Sequence, residues 1–235
     1  MVLLLSSPAI AHQLSELEAR VAALEALLEG VIRQNNAEGP ALVFEGMNVQ
    51  IRNGSGETEH ANGLGNLILG YNESPVVFNN GRTGSHNLVI GEGHQYCGVA
   101  SVFIGEDHLE LEGSEGNLYT GSSHLGTGKY NCACGGSENV LNGKWNAVEG
   151  GAYNTSYGEW CGVTGGMSNA CWGAGWVFGG LNNAAFGAFN IQVGGYLNTV
   201  QNGFLGTNIA GDSQTLEFKG DKISRACIAR GVSCP

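Results

Sequence analysis

Apolar residues near the start of the chain fall at Leu14, Leu17, Val21, Leu24, Leu28 and Val31, the alternating three- and four-residue spacing of heptad positions a and d. The pattern predicts a parallel coiled coil over residues 12–36. Glu18 and Glu25 take e positions, and Arg20 takes a g position from which it can meet Glu25 of a neighbouring chain. Asn35 occupies the next a position, and Gly39-Pro40 ends the helix. At about 1.5 Å per residue the stalk is roughly 33 Å long and marginal alone, so further association surfaces are expected downstream. The alternative is one amphipathic helix packed on the chain's own domain, against which the strict 3.5 period argues.

Beyond the heptads the pattern changes to a long repeat. A glycine follows an apolar stretch at Gly70, Gly91, Gly105, Gly121, Gly136, Gly151, Gly166, Gly180 and Gly195, spaced 14 to 16 residues apart after a first interval of 21. Three residues later stand His94, His108, His124, then Asn139, Asn154, Asn169, Asn183 and Asn198. Three residues before each marker stand Leu67, Leu88, Val102, Leu118, Ala133, Val148, Val163, Val177 and Gln192. One residue before stand Leu69, Ile90, Ile104, Thr120 and then five glycines. The period of two between these columns is that of a strand, so both are expected to point inward. A second set of turn glycines is Gly113, Gly128, Gly143, Gly158, Gly173, Gly187 and Gly203. Together they predict an all-β parallel roll over residues 64–208, with two short strands per 14–15-residue coil, stacked at about 4.8 Å per coil. The Gly-Gly-x-x-Asn corner supplies positive-φ residues, and its Asn amides can bond along the stack. Three-sided left-handed helices repeat in multiples of six, and calcium-binding rolls carry GGxGxD; neither matches. Residues 37–63 form a neck, and residues 209–235 a tail.

Composition narrows the class. Forty of 235 residues are glycine, far above the roughly 7% of average usage, and the four prolines follow no Gly-X-Y period, so the glycines punctuate an ordered, non-collagenous fold. A net charge of −11 disfavours nucleic acid and anionic membrane surfaces as partners. No run approaches the roughly 18 apolar residues of a spanning helix, so no membrane insertion is expected. Val2 to Leu5 and Ala9-Ile10-Ala11 suggest a leader over residues 1–11, with a frayed helix start as the alternative. Seven cysteines in such a chain suit an oxidising, extracellular or cell-surface location. Cys227 and Cys234 close a short terminal loop of disulfide size, Cys132-Ala133-Cys134 is too tight for an easy mutual bridge, and the odd count leaves one thiol free or shared between chains.

The segments NGLGNLILGYNE and RTGSHNLVIGEGHQY, followed by the GGxxN array, resemble the β-roll heads of trimeric autotransporter adhesins and related secreted or fibre proteins. The resemblance covers roughly residues 46 to 208 and the short coiled coil. It implies a left-handed parallel β-roll homotrimer that serves adhesion or fibre architecture without catalysis or cofactor. The coiled coil precedes the head and no C-terminal membrane β-barrel follows it, so the expected form is a secreted or fibre-tip variant. A structural subunit of an extracellular filament is the alternative, and a glycan-active enzyme on the same scaffold a third.

Six residues before the markers runs an aromatic column, Tyr130, Trp145, Trp160 and Phe189, with Trp176 displaced by a shorter coil. Counted by twos from the apolar column it lies opposite the core, with Cys132, Cys134 and Glu149 on the same outward face. Such a stripe binds a glycan or surface-protein receptor, or is covered by the neighbouring subunit; the second outcome is expected here. The His94, His108 and His124 column is expected to continue the Asn ladder rather than hold a metal, and His86 to bond backbone. Glu106, Asp107, Glu110, Glu112 and Glu115 read as a solvated loop face. No GxSxG, HExxH, P-loop or Rossmann motif is present, so no catalytic, cofactor or metal residue is assigned.

Overall fold

The computed structural model describes residues 8–75, 81–204, 207–209, 211–213 and 215–217. The chain divides into two compact units, Met1–Gln50 and Ile51–Pro235. In the first, α1 (Pro8–Leu27) contains no buried residue, and Leu14, Leu17, Val21 and Leu24 of its heptad seam are all exposed within the chain. The helix ends earlier than the heptads suggest. After a turn closed by Gly30 at φ +85°, β1 (Val31–Asn36) pairs antiparallel with β2 (Gly39–Phe44), in register from Val31↔Phe44 to Asn36↔Gly39. Residues 31–36 are thus strand and not the end of a coiled coil. Adjacent β-branched Val31 and Ile32 favour extended backbone, and Gly39-Pro40, expected to stop a helix, instead begins the return strand.

The second unit is a parallel β-solenoid. A front sheet stacks Leu67–Leu69, Leu88–Glu92, Val102–Glu106, Leu118–Ser122, Cys132–Ser137, Ala147–Glu149, Cys161–Thr164, the later halves of Ala170–Phe178 and Ala184–Val193, and Thr207–Ile209. A back sheet stacks Gln95–Tyr96, Leu109–Glu110, Leu125–Lys129, Val140–Lys144, Thr155–Glu159, the earlier halves of those two long strands, Thr199–Phe204 and Thr215–Glu217. From Leu88 onward each described coil therefore contributes one segment to each sheet. The back-sheet column Gly128, Gly143, Gly158, Gly173 and Gly187 needs glycine for closeness as well as for φ: a Cβ on Gly143 would overlap the carbonyl oxygen of Gly158.

The interior is two facing columns. From the front come Val89, Phe103, Tyr119, Ala133, Val148, Val163, Val177 and Gln192; from the back come Tyr96, Glu110, Leu141, Ser156, Cys171, Ala185 and Val200, all buried. The inward assignment of Ala133 to Gln192 holds. That of the earlier coils does not: Leu67, Leu88, Val102 and Leu118, with Leu69, Ile90, Ile104 and Thr120, flank Ile68, Val89, Phe103 and Tyr119 and point outward. The cause is local. Ala133 pairs with Tyr119 and Cys134 with Thr120, then the register shifts before Ser137↔Ser122, so Gly135-Gly136 occupies the place of the single Gly121. The glycine pair is a bulge of one residue, and counting back from its second member slips the register by one, which exchanges the faces.

The coils turn at two corners built on one device, except that the strand Ala170–Phe178 passes the second corner without turning. A residue at positive φ precedes an inward polar residue whose backbone N–H donates to the side chain of the corner before it. At the first corner His108 donates to Nδ1 of His94 and His124 to Nδ1 of His108, both at 3.3 Å. Asn139 donates to Nδ1 of His124 at 3.2 Å, and Asn154, Asn169, Asn183 and Asn198 each donate to the preceding Asn at 2.9 to 3.0 Å. The amide groups also donate onward, as Asn154 does to the Gly166 carbonyl at 3.2 Å. At the second corner Asn131 donates to Asn117, Asn146 to Asn131 and Cys161 to Asn146, at 2.8 to 3.0 Å. These ladders satisfy buried backbone groups where the chain leaves the sheets, which is why polar residues sit in the interior.

Candidate aromatic binding site

The second corner carries the aromatic column. Tyr130, Trp145, Trp160 and Phe189 hold the positive-φ position of this corner in their coils (φ 56° to 66°) and are 48% to 62% exposed. The same column position is Gly65 and Gly116 in earlier coils, where the conformation carries no Cβ penalty, and His86 and Ala100 in others. Tyr130 stacks on Trp145 at 6.5 Å, and Trp145 meets Trp160 edge-on at 5.8 Å. The Lys129 ammonium and the Tyr130 hydroxyl each lie 2.5 Å from the Glu115 carboxylate, Lys129 being the larger influence, and hold that carboxyl below its usual range.

Between Trp160 and Phe189 the column is interrupted. Ala174 pairs with Ala188 and Gly175 with Asn190, so this coil has no residue opposite Phe189; Gly175 also pairs with Cys161, which leaves none opposite Trp160. The strand Ala170–Phe178 runs straight across the corner. The result is a groove of about 740 Å³ lined by Trp145, Trp160, Ala174, Gly175, Trp176, Phe189 and Ile191. Trp176 is not a corner residue: it points outward from the front sheet, lies over Gly162, and its indole N–H donates to the Thr164 hydroxyl at 2.9 Å. A Cβ on Gly162 would overlap that indole ring. Of the five aromatics expected from sequence, four line one groove, and Tyr130 extends it through its stack on Trp145.

Sequence reasoning missed a second outward aromatic set. Tyr157, Trp172 and Phe186 are cross-strand neighbours on the back sheet, with centroids 4.9 and 5.8 Å apart. The signal was an aromatic one residue before each of Gly158, Gly173 and Gly187.

The histidine column is structural. The rings of His94, His108 and His124 stack at 5.1 and 5.0 Å. Each Nδ1 accepts the next backbone N–H, and each Nε2–H donates to the carbonyl of Ile90, Ile104 or Thr120. Neither ring nitrogen keeps a lone pair for a metal, and burial lowers all three rings, His108 to about 3. Among the described residues no group of three or more His, Cys, Asp or Glu is placed to hold a metal ion. His86 ties down a loop, accepting the Asn53 N–H at 3.3 Å and donating to the Thr58 carbonyl at 3.0 Å.

Two expectations are corrected. Glu110 is fully buried, not part of a solvated face. Alternation along Leu109–Glu110 turns it inward, where the Gly98 N–H, the Ser101 hydroxyl and the Asn117 amide donate to it at 2.7 to 3.1 Å. Burial nonetheless pushes its carboxyl up. Cys132 and Cys134, judged too close for an easy bridge, stand at disulfide distance with Cα atoms 5.6 Å apart, inside the usual bridging range, because residues i and i+2 of a strand share a side. Cys161 and Cys171 form a second pair. Cys97 is free and buried, and Cys227 and Cys234 lie outside the described residues. Among those residues no helix is long and apolar enough to cross a membrane. Comparison of the chain with family models, with curated proteins and with solved structures found no match.

Proposed function

We propose that the chain is a non-catalytic binding module of an extracellular homotrimer, adhesin-like or set at the tip of a fibre, and that the interrupted aromatic corner is its ligand site for a glycan or a surface-protein receptor. One observation carries the reading. Exposed rings stand side by side at one corner in three consecutive coils, Tyr130, Trp145 and Trp160, where glycine, His86 or Ala100 stands in earlier coils of the same column, and each ring holds a left-handed backbone at a cost on the order of 1–3 kcal/mol. The rings frame a groove of ligand size.

The trimer has its own support. The heptad seam of α1 is exposed among the described residues. The outward columns Leu67, Leu88, Val102, Leu118 and Leu69, Ile90, Ile104 form an apolar strip over the first coils of the front sheet, suited to burial between subunits of a left-handed roll trimer. With that strip available, the aromatic corner is no longer needed as the interface and is assigned to ligand. Two cysteine pairs at disulfide distance agree with an oxidising location.

The test is a glycan array and a surface-protein binding screen on the purified protein, with light scattering at micromolar concentration. A trimer that retains ligand through Trp145 and Trp160 is expected. A stable monomer, or binding indifferent to both residues, overturns the reading.

A further inference from the structure

Of the two bridged pairs, Cys161–Cys171 has an evident structural use. Both residues are buried, and the bond joins a corner residue to an inward residue of the next coil's back strand, ten positions on. The other pair has none. Cys132 is half-buried and Cys134 exposed, and their bridge spans a sequence separation of only 2. Loop-closure stabilisation grows with loop length, so a bridge this short contributes little to folding. Its strand is held without it: Cys132 pairs with Leu118 and Ala147, Ala133 with Tyr119 and Val148, and the Cys132 N–H donates to the Asn146 carbonyl at 2.8 Å. The fully buried Ala133 side chain anchors the segment from the interior. The apolar strip assigned above to the subunit interface ends at Leu118, one coil before Cys132, so the bridge lies beyond it.

We propose that the Cys132–Cys134 bridge is a thiol–disulfide exchange site on the native surface, taking low-molecular-weight thiols of the glutathione class as its substrate. A thiolate attacks the more exposed Cys134 Sγ in line with the bridge. A mixed disulfide forms, the Sγ–Sγ bond breaks, and its electron pair leaves on Cys132 as thiolate. A second thiolate then attacks the external sulfur, forming the symmetrical disulfide and releasing Cys134 as thiolate. Two thiols are oxidised to one disulfide, the protein gains two electrons, and the two protons lost by the thiols pass to the new cysteine thiolates or to water. Exposed bridges that closing forces do not protect are the labile class, whereas the buried pair is shielded from in-line attack.

The experiment exposes the full-length protein to reduced and oxidised glutathione mixtures of graded ratio, blocks free thiols with a maleimide, and reads each cysteine peptide by mass spectrometry while circular dichroism follows the fold. The expected result is two labels per chain at Cys132 and Cys134 with the β signal unchanged, appearing at least about tenfold faster than any label at Cys161 or Cys171. Cys132→Ser supplies a second reading: oxidised glutathione should leave one adduct on Cys134 of the folded protein. Resistance of the bridge until the solenoid unfolds, labelling in step with the buried pair, absence of the adduct, or peptides of Cys132 and Cys134 joined to another chain in the untreated protein would each overturn the proposal. None of these outcomes depends on whether the aromatic groove binds a ligand.

Discussion

His108 is the clearest case of an ionisable side chain used for its shape. Both of its ring nitrogens are engaged by the backbone, and burial lowers its pKa from the ordinary 6.5 to about 3, with the neighbouring His94 and His124 rings lowered in the same direction. Below pH 6.5 the unfolded chain takes up protons that the folded ladder refuses. Stability is therefore complete above that value and falls as pH drops towards 3. His108→Asn, which matches the residue used in the later coils, should remove part of this acid sensitivity, seen as a flatter melting temperature between pH 7 and pH 4. Glu110 acts with the opposite sign: its raised pKa means that folding keeps a proton the unfolded chain releases, so its contribution falls as pH rises above the ordinary carboxylate range. At the aromatic corner it is the backbone that is under strain. Trp145→Gly and Trp160→Gly relieve a left-handed backbone, so a melting temperature at or above that of the parent is expected, together with loss of ligand. A large drop in melting temperature would mean that the rings are packed in the assembly.

The strand is the element on which the register argument rests. Phe103 and Val148 are fully buried, so Phe103→Ala should cost roughly 3–5 kcal/mol in chemical denaturation, and Val148→Asp should unfold the array by placing an unpaired charge in a dry interior. Lys144→Ser, on the outer side of the same roll, should be nearly neutral. Equal costs for Phe103→Ala and Val102→Ala would contradict the register. Trp176 gives the corresponding test for the groove. Its ring lies over Gly162, so Gly162→Val should expel the indole and weaken ligand binding while the coil persists; unchanged binding would remove Trp176 from the site.

For the whole molecule the prediction concerns assembly. Ile90 and Ile104 lie in the outward apolar strip and contribute no side chain to the interior. The double substitution Ile90→Asp with Ile104→Asp should dissociate the proposed trimer in light scattering while the circular dichroism of the solenoid is retained. A double variant that stays trimeric would move the interface elsewhere. Trp145→Ala with Trp160→Ala is its counterpart and should abolish binding without dissociation. Loss of the trimer in that pair would instead make the aromatic corner the interface, the outcome expected from sequence.

Periodicity carries information wherever each residue sees the same surroundings coil after coil. The glycine spacing, the His and Asn column and the 14–15-residue repeat therefore determined a parallel roll with two strands per coil, and they determined that the rings from Tyr130 to Phe189 lie outside the core. What they could not reveal depends on one residue more or less within a coil. The bulge at Gly135-Gly136 shifts by one a count taken from the glycines, so the count alone places Leu118 inward where Tyr119 is, and both are apolar enough to suit either face. The residue missing beside Gly175 turns a column of rings into a groove and brings Trp176 to it from another sheet. Likewise the heptad pattern runs on to Asn35, but pairing between Val31 and Phe44 makes that stretch a strand, because a hairpin partner thirteen residues away outweighs local helical spacing. Hydrophobic pattern is a sum over local positions, whereas register, bulges and the burial of Glu110 are set by which strand lies alongside, and only the tertiary structure decides that.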